Sequence, residues 1–206
     1  MGRARGDRLY QPVKVSARPT TGAIRRFLGQ LNHADVFWAA VLAKAAEAKT
    51  VRGRRHAAWL GKVSAELGMQ VPTGKKSSEF LGVCIRFCGP RDEKGYGRFD
   101  TTLYAPNGQR AARVHWAHRF AFLLAHGRLP AEHVGHDHTR SHSGACVNPW
   151  HLSAQTLLEN VAESNQRRQK ARAHAASAAG RPPGRARHGR PVAAEIDIAE
   201  LADIPC

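Results

Sequence analysis

Cysteine and histidine are the residue types here that call for a chemical explanation. Eight of the twelve histidines lie between His115 and His151, five of them between His133 and His151, and Cys146 falls inside that run. The other cysteines are Cys84, Cys88 and Cys206. Two cysteines close together, one distant and one at the last position do not resemble a disulfide framework, whereas histidine clustered beside cysteine suits a metal. In Cys146-Val-Asn-Pro-Trp-His151, Asn148 before Pro149 signals a tight turn or a helix cap. That turn would hold Cys146 and His151 on one compact loop, near enough to share an ion. Zinc takes four nitrogen or sulfur ligands in a tetrahedron, and a closed set marks a structural site. Neutral imidazole, with an ordinary pKa of about 6.5, can also take a proton from water near neutral pH.

Such residues need elements to position them. Lys94-Gly95-Tyr96-Gly97, lying between an apolar stretch and the alternating Phe99, Thr101 and Leu103, predicts a β-hairpin turn. Val114, Ala117, Phe120, Ala121 and Leu124 recur at helical spacing, with Gly127 and Pro130 following, which predicts a helix over 114–126. A short strand over 134–138 would put His136 and His138 on one face. Thr156-Leu-Leu-Glu159 reads as a capping box, so a helix should begin near Leu157, with Asn160 in its first turn. Upstream, apolar spacing predicts one or two helices over 21–49 and another over 54–67 closed by Gly68. These helices are either a packing element or a DNA-contacting arm.

Together, CIRFCGPRDEKGYGRFDTTLY, RVHWAHRFAFLLAHGRLP and VGHDHTRSHSGACVNPWHLSAQTLLENV resemble the His-Me finger (ββα-metal, HNH-type) endonucleases. The likeness is to the zinc-bound branch found in homing nucleases and phage HNH proteins, and it covers residues 84–160. It implies a small α+β ββα-metal domain with a structural Zn²⁺, a general base at His136 and a catalytic Mg²⁺ bound by Asn160. Arg119, in the pair His118-Arg119, would hold phosphate. The implied zinc set adds His138 and Cys84 to Cys146 and His151: His138 stands where the family usually has a cysteine, and Cys84 fits the family's spacing to Gly95. Cys88 stays open as the alternative to Cys84, and His142 as a competitor for His138. A second assignment makes His138 the base, after Asp137, with His142 on zinc. The implied reaction is metal-dependent hydrolysis of DNA phosphodiester bonds to 5′-phosphate and 3′-hydroxyl ends. The rival is a non-catalytic zinc module that only binds nucleic acid.

Charge agrees with a polyanionic partner, since the 206 residues carry a formal +16 with pI ≈ 10.8. Residues 1–76 hold 15 basic and 4 acidic side chains (+11), 77–160 hold 9 and 7 (+2), 161–190 hold 8 and 1 (+7), and 191–206 hold 0 and 4 (−4). The flanks are basic, while the middle carries the candidate site. Aromatics are only 7%, too few for extensive base stacking, and a hairpin with basic flanks suits a groove, so double-stranded DNA is the expected partner. A homodimer is left open. No run approaches the roughly 18 apolar residues that span a bilayer, and the basic start has no apolar stretch behind it. The expectation is a soluble, cytoplasmic protein with no membrane partner. The organisation read from the sequence is a disordered leader over 1–20, a helical basic arm over 21–76, the nuclease domain over 77–165 and a largely disordered tail over 166–206. Helix is expected to continue to about Ala176, because the Arg, Ala, Gly and Pro beyond it cannot bury a core.

Overall fold

The computed structural model of the chain describes residues 17–69, 77–130, 132–137 and 143–179. Three helices come first, and local caps set their ends. Helix α1 (Thr21–Leu28) starts where the Thr20 hydroxyl accepts the Ala23 N–H at 3.1 Å. Helix α2 (Ala34–Ala46) follows, and α3 (Val51–Leu67) starts earlier than the apolar spacing suggests, because Thr50 caps the Gly53 N–H at 3.1 Å. It stops at Gly68, whose φ of 67° is left-handed and favours glycine.

Strands β1 (Arg98–Tyr104) and β2 (Arg110–Trp116) form an antiparallel hairpin, with Thr101 opposite Val114 and Arg98 opposite Trp116. Two sequence expectations change here. The hairpin's own turn lies at 105–109, where Gly108 takes φ 80° and the Ala105 N–H donates to the Gln109 carbonyl at 2.8 Å. Gly95 also turns the chain, with φ 81°, but what it closes is the single bridge between Arg91 and Gly97. Residues 114–116, expected as helix, are the end of β2: Val114 is buried, His115 is exposed, and cross-strand partners override a weak helical spacing. Helix α4 (Ala117–His126) begins only after the strand, with the Ala117 N–H on the Gly97 carbonyl at 2.9 Å, and ends at Gly127, φ 66°.

A second antiparallel pair joins β3 (His133–His136) to β4 (Leu152–Gln155), with His136 opposite Leu152. Helix α5 (Leu157–Ala179) comes next in the chain and runs three residues past its expected end. Of the leader expected to be disordered over 1–20, residues 1–16 lie outside the described residues, as do the segment 70–76 and the tail beyond Ala179, whereas residues 17–20 are ordered, with Arg18 bridged to Tyr104 and Thr20 capping α1. The fold class is α+β, built from helices and two small two-stranded sheets.

The chain divides into two compact units, Met1–Leu157 and Leu158–Cys206. In the first, one apolar cluster joins α1, α2 and α3 to the hairpin and α4. Phe27 lies fully buried at its centre, with ring centroids of Phe120, Phe99, Phe37 and Phe87 at 4.9, 5.0, 5.4 and 5.7 Å. The stretch read as either arm or packing element is therefore a packing layer. Its apolar face shares the core with the hairpin. Almost all of α5 belongs to the second unit.

Candidate functional site

The segment preceding the hairpin wraps the loop between β3 and β4. The Val147 N–H donates to the Ile85 carbonyl at 2.8 Å, and the Phe87 N–H donates to the Ala145 carbonyl at 2.9 Å. Asn148, wholly buried, clamps the two together: its amide donates to the Phe80 carbonyl at 2.7 Å and the Val83 carbonyl at 2.6 Å, while its oxygen accepts from Trp150. Asn148 thus builds the loop, and the short 3₁₀ turn Pro149–His151 that it caps presents His151 inward.

This wrapping assembles Cys84, Cys146 and His151, whose ligand atoms all lie within 4.8 Å of one another. The Cys146 Sγ is 3.4 Å from His151 Nδ1, and both residues are fully buried. His151 Nε2 is 3.0 Å from the Leu81 carbonyl. A carbonyl can only accept, so the hydrogen sits on Nε2 and the lone pair on Nδ1 faces the thiols. Metal-bound histidines are commonly fixed by such a second bond. Two thiols and a pre-oriented imidazole nitrogen are donors that suit zinc, and these three residues could hold a metal ion. Cys88 is not one of the three. His138, expected as the remaining ligand, and its competitor His142 lie outside the described residues.

His136 closes β3 and is buried. Its Nε2 is 3.0 Å from the Cys146 carbonyl, which places a hydrogen on Nε2. The next backbone N–H, of Asp137, donates to the His151 carbonyl at 2.7 Å. Two residues of the metal-competent group therefore also hold the end of β3 through their backbone. His136 lies in a ring cluster, with centroids of His118 at 5.1 Å and Tyr96 at 5.8 Å, and Trp116 lies 6.4 Å from both His118 and Tyr96. His118 is buried and its Nδ1 has no hydrogen-bond partner among the described residues. Burial, then the neighbouring charges of His136 and Arg119, lower its pKa to about 3, so it stays neutral. The sequence reading used His118 only as a marker for Arg119. The signal that could have found it was its place two residues beyond the strand that ends at Trp116, in the first turn of α4.

The Arg119 guanidinium donates to the Glu132 carbonyl at 2.9 Å, tying α4 to the entry of β3. The Glu132 carboxylate in turn accepts the N–H of Leu157, the first residue of α5, a contact no local motif announced. Asn160 stands in the first turn of α5, within the second unit. Among the described residues no helix is long and apolar enough to cross a membrane. No family model matches the chain, and no curated protein or solved structure matches it.

Proposed function

We propose that the protein is a metal-dependent DNA endonuclease of the HNH, or His-Me finger, type. The observation that carries the reading is His136: a buried imidazole whose Nε2–H is committed to the Cys146 carbonyl, set beside a Cys84–Cys146–His151 group. An imidazole held in one orientation is what a general base needs. In this reading His136 Nδ1 takes a proton from water, the hydroxide formed attacks phosphorus, and the bond from phosphorus to the 3′ oxygen breaks. The departing oxygen takes a proton from solvent, which gives 5′-phosphate and 3′-hydroxyl ends. Cys84, Cys146 and His151, with His138 as the fourth donor, would hold a structural Zn²⁺ that orders the loop carrying the His136 contact. Asn160 would offer its amide oxygen to Mg²⁺, which in such sites neutralises charge on the phosphate and the leaving oxygen. Arg119 would hold the phosphate, and double-stranded DNA is the proposed substrate.

The test is plasmid cleavage with and without Mg²⁺ by the wild type and His136→Ala. Loss of a general base lowers the rate by about 10²–10⁴-fold. Equal cleavage by His136→Ala, or no cleavage by the wild type, would refute the reading. The latter result together with retained DNA affinity would leave the non-catalytic zinc module.

A further inference from the structure

Away from His136, a groove runs between the N-terminal helices and the hairpin. Two cavities, of ≈ 490 and ≈ 820 Å³, share Thr20 and Tyr104 in their walls and so adjoin as a two-part trough. Its sides carry five arginines: Arg26 and Arg113 in the first part, and Arg18, Arg52 and Arg55 in the second. Asp100 is the one carboxylate in its walls, and it already pairs with Arg113 at 3.9 Å and with His115. Among the described residues, no carboxylate pairs with Arg18, Arg52 or Arg55.

Two of the arginines, Arg18 and Arg26, are held in place rather than merely exposed. Arg18 exchanges backbone hydrogen bonds with Tyr104 at 2.9 and 3.0 Å, and its guanidinium lies 5.0 Å over the Trp59 ring. Arg26 lies 5.2 Å over Phe99 and donates to the Asp100 carbonyl at 3.2 Å. Arg52 and Arg55 share one face of the first turns of α3, an end without acidic residues whose dipole also favours an anion. His56 and His126, in the same wall, are shifted toward their neutral forms, chiefly by burial, so arginine supplies the charge. The chain enters the trough at Ala17, and the 16 residues before it hold four basic and one acidic side chain.

We infer that this trough binds the phosphodiester backbone of a nucleic acid, as a contact surface distinct from the His136 site. Guanidiniums lining a concave wall suit the phosphates of a strand, and a planar guanidinium pairs with phosphate bidentately. The inference shares with the proposed nuclease only the class of ligand. It implies that much of the affinity comes from a surface that takes no part in the chemistry.

The experiment is fluorescence anisotropy of a labelled DNA duplex in Mg²⁺-free buffer over a salt series, using the His136→Ala protein so that the DNA stays intact. Arg52→Ala/Arg55→Ala in that background should reduce the log–log salt slope by about 0.9 for each arginine. Lys62→Ala, exposed on α3 and outside the trough, is the control and should change the slope less. A slope equal to the control's would overturn the trough, as would affinity for anionic-lipid vesicles with none for DNA. Wild type that cuts plasmid, with an unchanged slope in the double variant, removes the trough and keeps the nuclease. A reduced slope with a wild type that cuts nothing keeps the trough and removes the nuclease.

Discussion

His118 should make the fold acid-sensitive by an amount that can be isolated. In the unfolded chain a histidine takes up its proton near pH 6.5, whereas in the folded protein His118 does so only near 3. Between those values the unfolded state binds more protons. The folded pKa is depressed for a group that is charged when protonated, so its contribution is fully present above about pH 6.5 and is lost as pH falls toward 3. Each pH unit in that window is worth about 1.4 kcal/mol, so going from pH 6.5 to 4.5 should remove about 2–3 kcal/mol through this one residue. His118→Phe keeps a ring between Tyr96 and His136, at centroid distances of 5.7 and 5.1 Å in the wild type, but cannot titrate. The assay is urea unfolding of both proteins at pH 7.0 and 4.5. The quantity read is the difference between their pH-induced losses, so protonation of the metal ligands and of His126 cancels. The variant should lose about 2–3 kcal/mol less than the wild type. Equal losses would show that His118 is not held neutral by burial, and the tight ring cluster around His136 would have to be abandoned.

Elemental analysis should find one zinc per folded chain, and Cys146→Ser and Cys84→Ser should each lose both the metal and thermal stability, because ion binding is coupled to ordering of the loop. Cys88→Ser should keep the zinc, and the opposite pattern for the two upstream cysteines would refute the assignment. Phe27→Ala removes a ring at van der Waals contact with four others, and calorimetry or urea titration should show a loss of about 3–5 kcal/mol. A loss below about 1 kcal/mol would mean that α1 is not part of the core.

The sequence by itself determined what local chemistry decides. Thr20, Thr50, Gly68 and Gly127 end their helices through bonds or dihedrals within a few residues, and the expected positions of Gly68 and Gly127 stand. Asn148-Pro149 made the tight loop of Cys146 and His151 legible, because the cap is formed by the neighbouring Trp150 N–H. Tertiary structure decided whatever depends on a partner distant in the chain. Residues 114–116 satisfy a helical spacing, yet their hydrogen bonds go to β1, and only the paired strand supplies that alternative. As sequence, helices α1 to α3 could be an arm or a layer: α1 and α3 are amphipathic and α2 is apolar almost all round, and burial of Phe27, Phe37 and Trp38 in the core shared with the hairpin and α4 makes them a layer. Cys84 and Cys88 are equivalent as local text, and it is the bonding of Ile85 and Phe87 to Val147 and Ala145 that brings Cys84 to Cys146. The trough's arginines are scattered over α1, α3, the hairpin and the strand-like entry at Arg18, so the sequence shows their charge but not their alignment. Spacing along a chain specifies what neighbours can do, whereas a site built from four segments exists only once the core has fixed their distances.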